Sequence, residues 1–333
     1  MFIVNNYLLA IIFCFITMLS WGSWANTQKL AGKTWRFELF YWDYVIGILL
    51  FSLLSAFTLG SIGTEGRSFI SDLYQAELHN IGSAFLGGII FNASNILLVA
   101  AIAIAGMSVA IPLGVGVALI LGVLINYMGS AKGNPWLLFG GVALVMLAII
   151  FNALAYKNMN VKAQKVSSKG IVIALISGFL MSFFYRFIAS SMDLDNFVSP
   201  AIGRMTPYTA MFVFACGIFA SNFIFNTIAM KKPFEGSPVA LRVYFQGLSK
   251  IHLVGVLGGL VWGLGTAFNL IAAGKAGAAI SYGLGQGAPL ISALWGVFIW
   301  KEFKDAPKSA NRYLSGMFAL FLLGLGLVVA AGA

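Results

Sequence analysis

Runs of about twenty apolar residues recur along the whole chain, separated by short segments that collect most of the charge. A helix needs about that length to cross roughly 30 Å of hydrocarbon, where its backbone polar groups must be satisfied internally. On that ruler the pattern predicts ten spans, near Ile3–Trp24, Phe40–Leu59, Ile81–Ala103, Ser108–Tyr127, Trp136–Tyr156, Ile171–Ser190, Thr206–Met230, Ile251–Ala272, Ala278–Trp300 and Tyr313–Ala331. Two stretches, Ile81–Gly129 and Ile251–Trp300, stay apolar for about fifty residues, roughly 75 Å if helical, so each must fold back once. The turns are expected at Ala105–Gly106 and at Gly274–Gly277, where glycine ends a helix without steric cost and Lys275 can reach the interface. No basic segment precedes the first run, which is also too long for a cleaved leader, so it reads as a retained span.

Composition excludes a water-soluble fold: 60% of the 333 residues are hydrophobic and only 9% charged. The 38 glycines suit helices that approach one another closely in lipid. A net charge of +10 would suggest nucleic acid in a soluble protein, but here the basic residues lie in short loops rather than on one stripe. With ten spans those loops sort into two sets. One carries Lys29, Lys33, Arg36, Lys157, Lys162, Lys165, Lys169, Lys231, Lys232, Arg242, Lys250, Lys301, Lys304, Lys308 and Arg312. The other holds Arg67, Lys132, Arg204 and Lys275 beside Glu65, Asp72, Glu77, Asp193 and Asp195. Because Lys and Arg are retained on the cytoplasmic side, the first set is expected inside an inner (cell) membrane, with both termini outside, periplasmic. Cys14 and Cys216 sit alone in apolar runs and read as small buried hydrophobes.

The chain also repeats itself. LGGIIFNASNILLVAAIAIAGMSVAIPLGVGVALILG and LGGLVWGLGTAFNLIAAGKAGAAISYGLGQGAPLISA align without a gap at an offset of about 171 residues. Gly87, Gly88, Gly106, Gly114 and Gly116 fall on Gly258, Gly259, Gly277, Gly285 and Gly287. More weakly, MLSWGSW near Met18 matches LMSFFYRF near Leu180. The expected architecture is therefore an all-α polytopic membrane protein with ten transmembrane helices in two five-helix repeats, residues 1–157 and 170–333, joined by a basic cytoplasmic linker at 158–169. Five is odd, so the second repeat must be inverted, an arrangement that recurs in secondary transporters with the binding site where the halves meet.

The stretch GMSVAIPLGVGVALILGVLINYMGSAKGNPWLLFGGVALVMLAIIFNALAY, with WGSW in the first span, resembles the drug/metabolite transporter (DMT) superfamily, in the branch of ureide permeases, glucose/ribose porters and rhamnose–proton symporters. That resemblance implies a secondary carrier without a nucleotide-binding module, often proton-coupled, taking up sugars or nitrogen-rich heterocycles. Independently, the chain has no GxxxxGK[ST] loop.

Polar residues inside the spans are the candidates for chemistry. Uncharged groups suit a neutral, hydroxylated or amide-rich solute: Trp21 and Trp24, Asn92 and Asn95, Asn222 and Asn226, Thr266 and Asn269, and Tyr282 and Gln286. Aromatic rings stack on a ring face while amides bond its edge. The same Asn and Thr residues could equally tie helices together. Arg186 is the one arginine well inside a span, where a cation costs about 2.5–3.5 kcal/mol on insertion scales. It either faces a cavity as a substrate or gating residue, or reaches outward to Asp193 or Asp195. Asp43 is the one carboxylate placed within a span and is the candidate proton carrier, unless it is a solvated helix-start residue or sodium couples transport at broken helices instead. Pro112, Gly114 and Gly116 in the fourth span, and Gly283, Gly285, Gly287 and Pro289 in the ninth, read as bending points for gating or as tight packing contacts. His79 and His252 lie near span ends, apart from any carboxylate cluster, so neither metal nor cofactor is implied.

The function read from these features is secondary transport, not enzymology. A small polar metabolite enters with H+, or with Na+, a sugar being the first expectation and a ureide or nucleobase the next. A DMT-type exporter of metabolites or drugs is the competing reading within the class. From another class, an intramembrane lipid-modifying enzyme would need clustered His, Asp or Glu at the membrane surface, a pattern this sequence does not carry. The bilayer and the solute are the expected partners, nucleic acid is not, and the sequence leaves the oligomeric state open.

Overall fold

In the computed structural model, which describes residues 1–32, 35–159, 167–234 and 236–333, the apolar runs form helices joined by short turns. Lys33, Lys162, Lys165 and most of the expected linker at 158–169 lie outside the described residues. The helices are α1 (Tyr7–Ser23), α2 (Ala25–Ala31), α3 (Phe37–Phe57), α4 (Phe69–Gln75), α5 (Leu78–Ala105), α6 (Met107–Gly129), α7 (Pro135–Met159), α8 (Ser168–Ser190), α9 (Pro207–Lys231), α10 (Leu241–Tyr244), α11 (Ser249–Ala276), α12 (Ala278–Gly285), α13 (Ala288–Leu294) and α14 (Lys308–Ala330). Among the described residues, nine helical stretches are long and apolar enough to cross a membrane. The chain is an all-α, multi-pass membrane protein.

Two expectations change in detail. The first span does not stop at Trp24: α1 runs on through α2 to Ala31, since Asn26–Ala31 contains no breaker before Gly32, which takes a left-handed φ of 94°. The ninth span, expected over Ala278–Trp300, is broken into α12, α13 and a π-helical turn over Trp295–Ile299, with Gln286 and Gly287 at the first break. Its counterpart α6 is continuous across Pro112, Gly114 and Gly116. One missing backbone donor near the start of a long helix does not interrupt it, and the two glycines there are filled by neighbours. A Cβ on Gly114 would meet Leu98 Cδ1 at 2.6 Å, and one on Gly116 would meet Met146 Sδ at 2.6 Å.

In lipid there is little hydrophobic drive between helices, so backbones meet where side chains are small. α3 and α11 run parallel, with Asp43 on Gly255, Gly47 on Gly259 and Phe51 on Gly263. α5 and α9 also run parallel, joined at Gly88 and Gly217. α9 opposes α3, since Tyr208 packs on Gly60 while Asn226 Nδ2 donates to the Glu38 carbonyl at 2.9 Å. It follows that α5 and α11, each of 28 residues and aligned in the repeat, point in opposite directions. Both end at a glycine of the same conformation, Gly106 (φ 80°, ψ 160°) and Gly277 (φ 85°, ψ 150°), where the fold-back turns were expected. Other large side chains face outward: Leu8, Ile12, Phe15 and Leu19 form an exposed stripe along α1 opposite the buried Ala10, Cys14 and Met18. α7 and α14 pair antiparallel through Gly141 and Gly324.

Because successive spans alternate in direction, the basic segments gather at one end of the bundle. There Lys29 meets Glu302 at 2.6 Å and Arg36 pairs with Glu38 at 2.5 Å. At the other end Arg67 pairs with the fully buried Asp72 at 2.8 Å, and Lys132 with Asp195 at 2.9 Å.

Candidate functional site

A cavity of about 420 Å³ lies between α1, α2, α5, α6, α7, α8, α11 and the broken segment α12–α13. Close helix approach would leave no room here. The space persists because bulky aromatics prop the helices apart while Gly114, Ala118, Ala288 and Ala293 leave the wall thin. Its deep end is aromatic. Trp21 lies parallel to Trp262 with ring centroids 6.1 Å apart, Trp262 tilts against Phe91 at 4.4 Å, and Phe91 meets Phe184 edge-on at 5.3 Å. Trp21 is fixed by its own indole, whose Nε1 donates to Thr266 Oγ1 at 3.0 Å. Thr266 in turn donates to the Trp262 carbonyl at 3.1 Å, so both walls share one anchor.

Amides stand above that floor: Asn95 from α5, Asn152 from α7, Asn26 from α2 and Gln286 at the helix break. Among the described residues, the charged side chains lining the cavity are Lys29 and Glu302, which pair with each other at the basic end. Tyr156 donates to the second Glu302 oxygen at 3.0 Å. Toward the opposite face the way is shut by Phe13 stacked on Phe268 at 4.4 Å, by Phe197 against Gly274, and by Lys132, which bonds Asp195 and the Gly274 carbonyl. Such a chamber can hold a flat, uncharged, hydrogen-bonding solute.

Of the candidates read from the sequence, Trp21, Trp24, Asn95, Gln286, Gly114 and Pro289 line this cavity. Thr266, Asn269 and Tyr282 lie beneath it as fully buried ties. Asn269 Nδ2 donates to the Ser281 carbonyl at 2.8 Å, and the Tyr282 hydroxyl to the Ala118 carbonyl at 3.1 Å. Gly285 packs under Trp21, Gly287 against Met18, and Pro112 and Gly116 lie in the continuous α6. Asn92 is bound among α3, α5 and α9. Asn222 and Asn226 are buried in α9, and neither amide atom of Asn222 has a protein partner among the described residues. Arg186 reaches neither the cavity nor Asp193 or Asp195: its guanidinium lies over Gly129, at the carbonyl end of α6, where a cation suits the helix dipole.

Asp43 is also outside the cavity, but it is not a solvated helix-start residue. It is buried, and His252 Nδ1 sits 3.0 and 2.9 Å from its two carboxylate oxygens. Tyr244, on α10, donates to Oδ1 at 2.5 Å. His252 is therefore not isolated from acidic groups. Burial, then the neighbouring Asp43 carboxylate, hold the Tyr244 hydroxyl well above the ordinary phenol range, so at neutral pH it stays protonated and donates.

Lys29, Asn26, Phe91, Asn152, Tyr156, Phe184, Trp262 and Glu302 were not among the sequence candidates. The signal for Lys29 and Asn26 was the unbroken helical stretch ahead of Gly32. Nothing in the local pattern pairs Lys29 with Glu302, or Asp43 with His252.

The sequence model of the ureide permease family matches residues 40–169 and 157–331. Ureide permease 1 of Arabidopsis thaliana is 22% identical over 372 residues, covering 95% of each chain, and ureide permease 2 of the same plant is 23% identical, covering 99% of each. A protein of Streptococcus pyogenes serotype M1 named for sugar uptake is 27% identical over 211 residues, covering 61% of this chain and 71% of its own. One crystal structure superimposes with a TM-score of 0.60 at 16% identity, covering 96% of this chain and 95% of that one, and so shares the fold.

Proposed function

We propose, for a chain that belongs to the ureide permease family of transporters, that the cavity is the carrier site for an uncharged ureide or a related amide-rich heterocycle, taken up with a proton. Carriage of a small polar solute follows from the family; the ureide, the proton and the direction are the reading offered here. The observation that carries it is the cavity's make-up, an aromatic floor beneath four amide side chains with no net charge. As a class, amides carry both donors and acceptors, the complement of the alternating N–H and C=O edge of a ureide. A sugar, the first expectation from the sequence, is the second reading, favoured by the streptococcal relative named for sugar uptake. The plant relatives named as ureide permeases match nearly end to end, whereas the streptococcal one covers less, which supports the ureide order.

Transport proceeds by alternating access between inverted halves, residues 1–157 and 170–333, with the cavity open toward the basic face. That face is the cytoplasmic one, both termini lying across the inner membrane. Asp43 carries the coupling proton.

A thermal-shift screen of the purified protein tests the substrate. Hydantoin, as the simplest cyclic ureide, is expected to raise the unfolding midpoint, since a ligand at 100 times its Kd adds about 2.7 kcal/mol. Trp21→Ala removes one aromatic wall and is expected to weaken hydantoin by about tenfold, roughly 1.4 kcal/mol. A shift with glucose and none with any ureide or nucleobase would reverse the assignment.

A further inference from the structure

Four buried side chains, Ser221, Asn92, Tyr41 and Asn95, form one hydrogen-bonded chain from α9 through α5 and α3 to the cavity. Its polarity is fixed at the far end by backbone. Ser221 Oγ donates to the Gly217 carbonyl at 2.8 Å, with the Ile218 carbonyl 3.1 Å away, and a hydroxyl has a single proton. Ser221 must then accept from Asn92, whose Nδ2 lies 2.9 Å from Oγ and 3.3 Å from the Ile218 carbonyl, a group that can only accept. That turns Asn92 Oδ1 toward Tyr41, which donates its one proton to it at 2.9 Å. Tyr41 can now only accept, and it does so from Asn95 Nδ2 at 3.1 Å. Each link excludes the reverse amide orientation of the next.

Resting on the ureide reading above, we infer that Asn95 is the cavity's dedicated hydrogen-bond acceptor, its carbonyl oxygen reading an N–H of the solute, with Tyr41 and Asn92 as positioning residues. A buried site built to receive an N–H rejects a ligand that lacks it, because the acceptor is left unpaired. The chain thus makes the carrier selective for ring N–H groups rather than for ring shape alone.

The test measures binding of hydantoin and 1,3-dimethylhydantoin to the purified full-length protein in nanodiscs. The parent is expected to favour hydantoin by about 10- to 100-fold, the cost of one unpaired buried acceptor. Asn95→Leu, close in volume, is expected to lose that preference from both sides, weakening hydantoin, whose N–H goes unpaired, and strengthening the dimethyl compound, which no longer leaves a buried acceptor unsatisfied; retained binding of the dimethyl compound also shows that the site is intact. Tyr41→Phe keeps the Asn95 carbonyl but frees it to rotate, so the preference should shrink without vanishing, an effect that simple loss of packing would not give. Hydantoin binding with the parent's preference retained in both variants would overturn the role of Asn95 and leave the ureide reading standing. Glucose binding by the parent with neither hydantoin bound would overturn the ureide reading, and this inference with it.

Discussion

Gly259→Val is expected to leave almost no folded protein in detergent extracts, and Gly88→Val, its counterpart in the repeat, to do the same. A Cβ at Gly259 would fall inside contact distance of the Tyr44 carbonyl oxygen, with Gly47 Cα and Ile48 N both at 2.7 Å. At Gly88 it would meet the Phe214 carbonyl, with Ile218 N at 2.8 Å and Gly217 Cα at 3.0 Å. All of these obstacles are backbone, so no rotamer change relieves them, and the parallel pairs α3–α11 and α5–α9 must part along their length. Overpacking that side chains can absorb costs about 1–3 kcal/mol. Here the cost is expected above that range, a large share of the 5–15 kcal/mol that typically holds a protein folded. Gly82→Ala and Gly326→Ala, whose added methyl would meet nothing within 4 Å, serve as controls and should behave as the parent does. Size-exclusion recovery and the thermal midpoint report the outcome. A Gly259→Val protein that elutes and melts like the parent would show that the α3–α11 seam is not as close as described.

The same two glycines explain why so much of the fold was legible beforehand. In a membrane the length of an apolar run fixes the element, and small residues fix where elements touch, so span positions and the Gly106 and Gly277 turns could be read from local pattern. The similar conformations of Gly106 and Gly277 answer their aligned positions in the repeat. Less of the site was legible. Trp21, Trp24, Asn95 and Gln286 were identifiable as polar or amphipathic groups within the expected spans, but Asn92, only three residues from Asn95, faces a helix seam instead of the cavity. Depth is written in the local sequence, while the choice between cavity and seam depends on which neighbour a helix face meets. The ion pair of Lys29 with Glu302 and the contact of Asp43 with His252 join residues 273 and 209 positions apart, separations on which no local periodicity bears.

Asp43→Asn is expected to abolish accumulation driven by a pH gradient while sparing exchange of labelled for unlabelled solute. The variant preserves shape but removes the group that can gain and lose a proton. In the parent, that carboxylate is buried on the seam between α3 and α11, held by His252 from α11 and Tyr244 from α10. Its charge therefore bears on contacts between helices of the two proposed halves. Asp43 packs on Gly255 one turn from Gly259, so altered bonding to His252 acts on the same close seam. Tyr244 is not itself the titrating group, because its raised range keeps the hydroxyl protonated through neutral pH. The His252 ring that faces Asp43 also meets Trp35 edge-on at 5.5 Å. One pH unit is worth about 1.4 kcal/mol per proton, or roughly tenfold accumulation. Proteoliposomes of the parent with an alkaline lumen should reach about that ratio for each unit imposed, and fall toward unity when the gradient is collapsed. Asn at position 43 should hold the ratio near one in both conditions, with His252→Gln intermediate. Accumulation by the Asp43→Asn protein equal to the parent's, or accumulation that follows a sodium gradient at constant pH, would remove the proton from the mechanism.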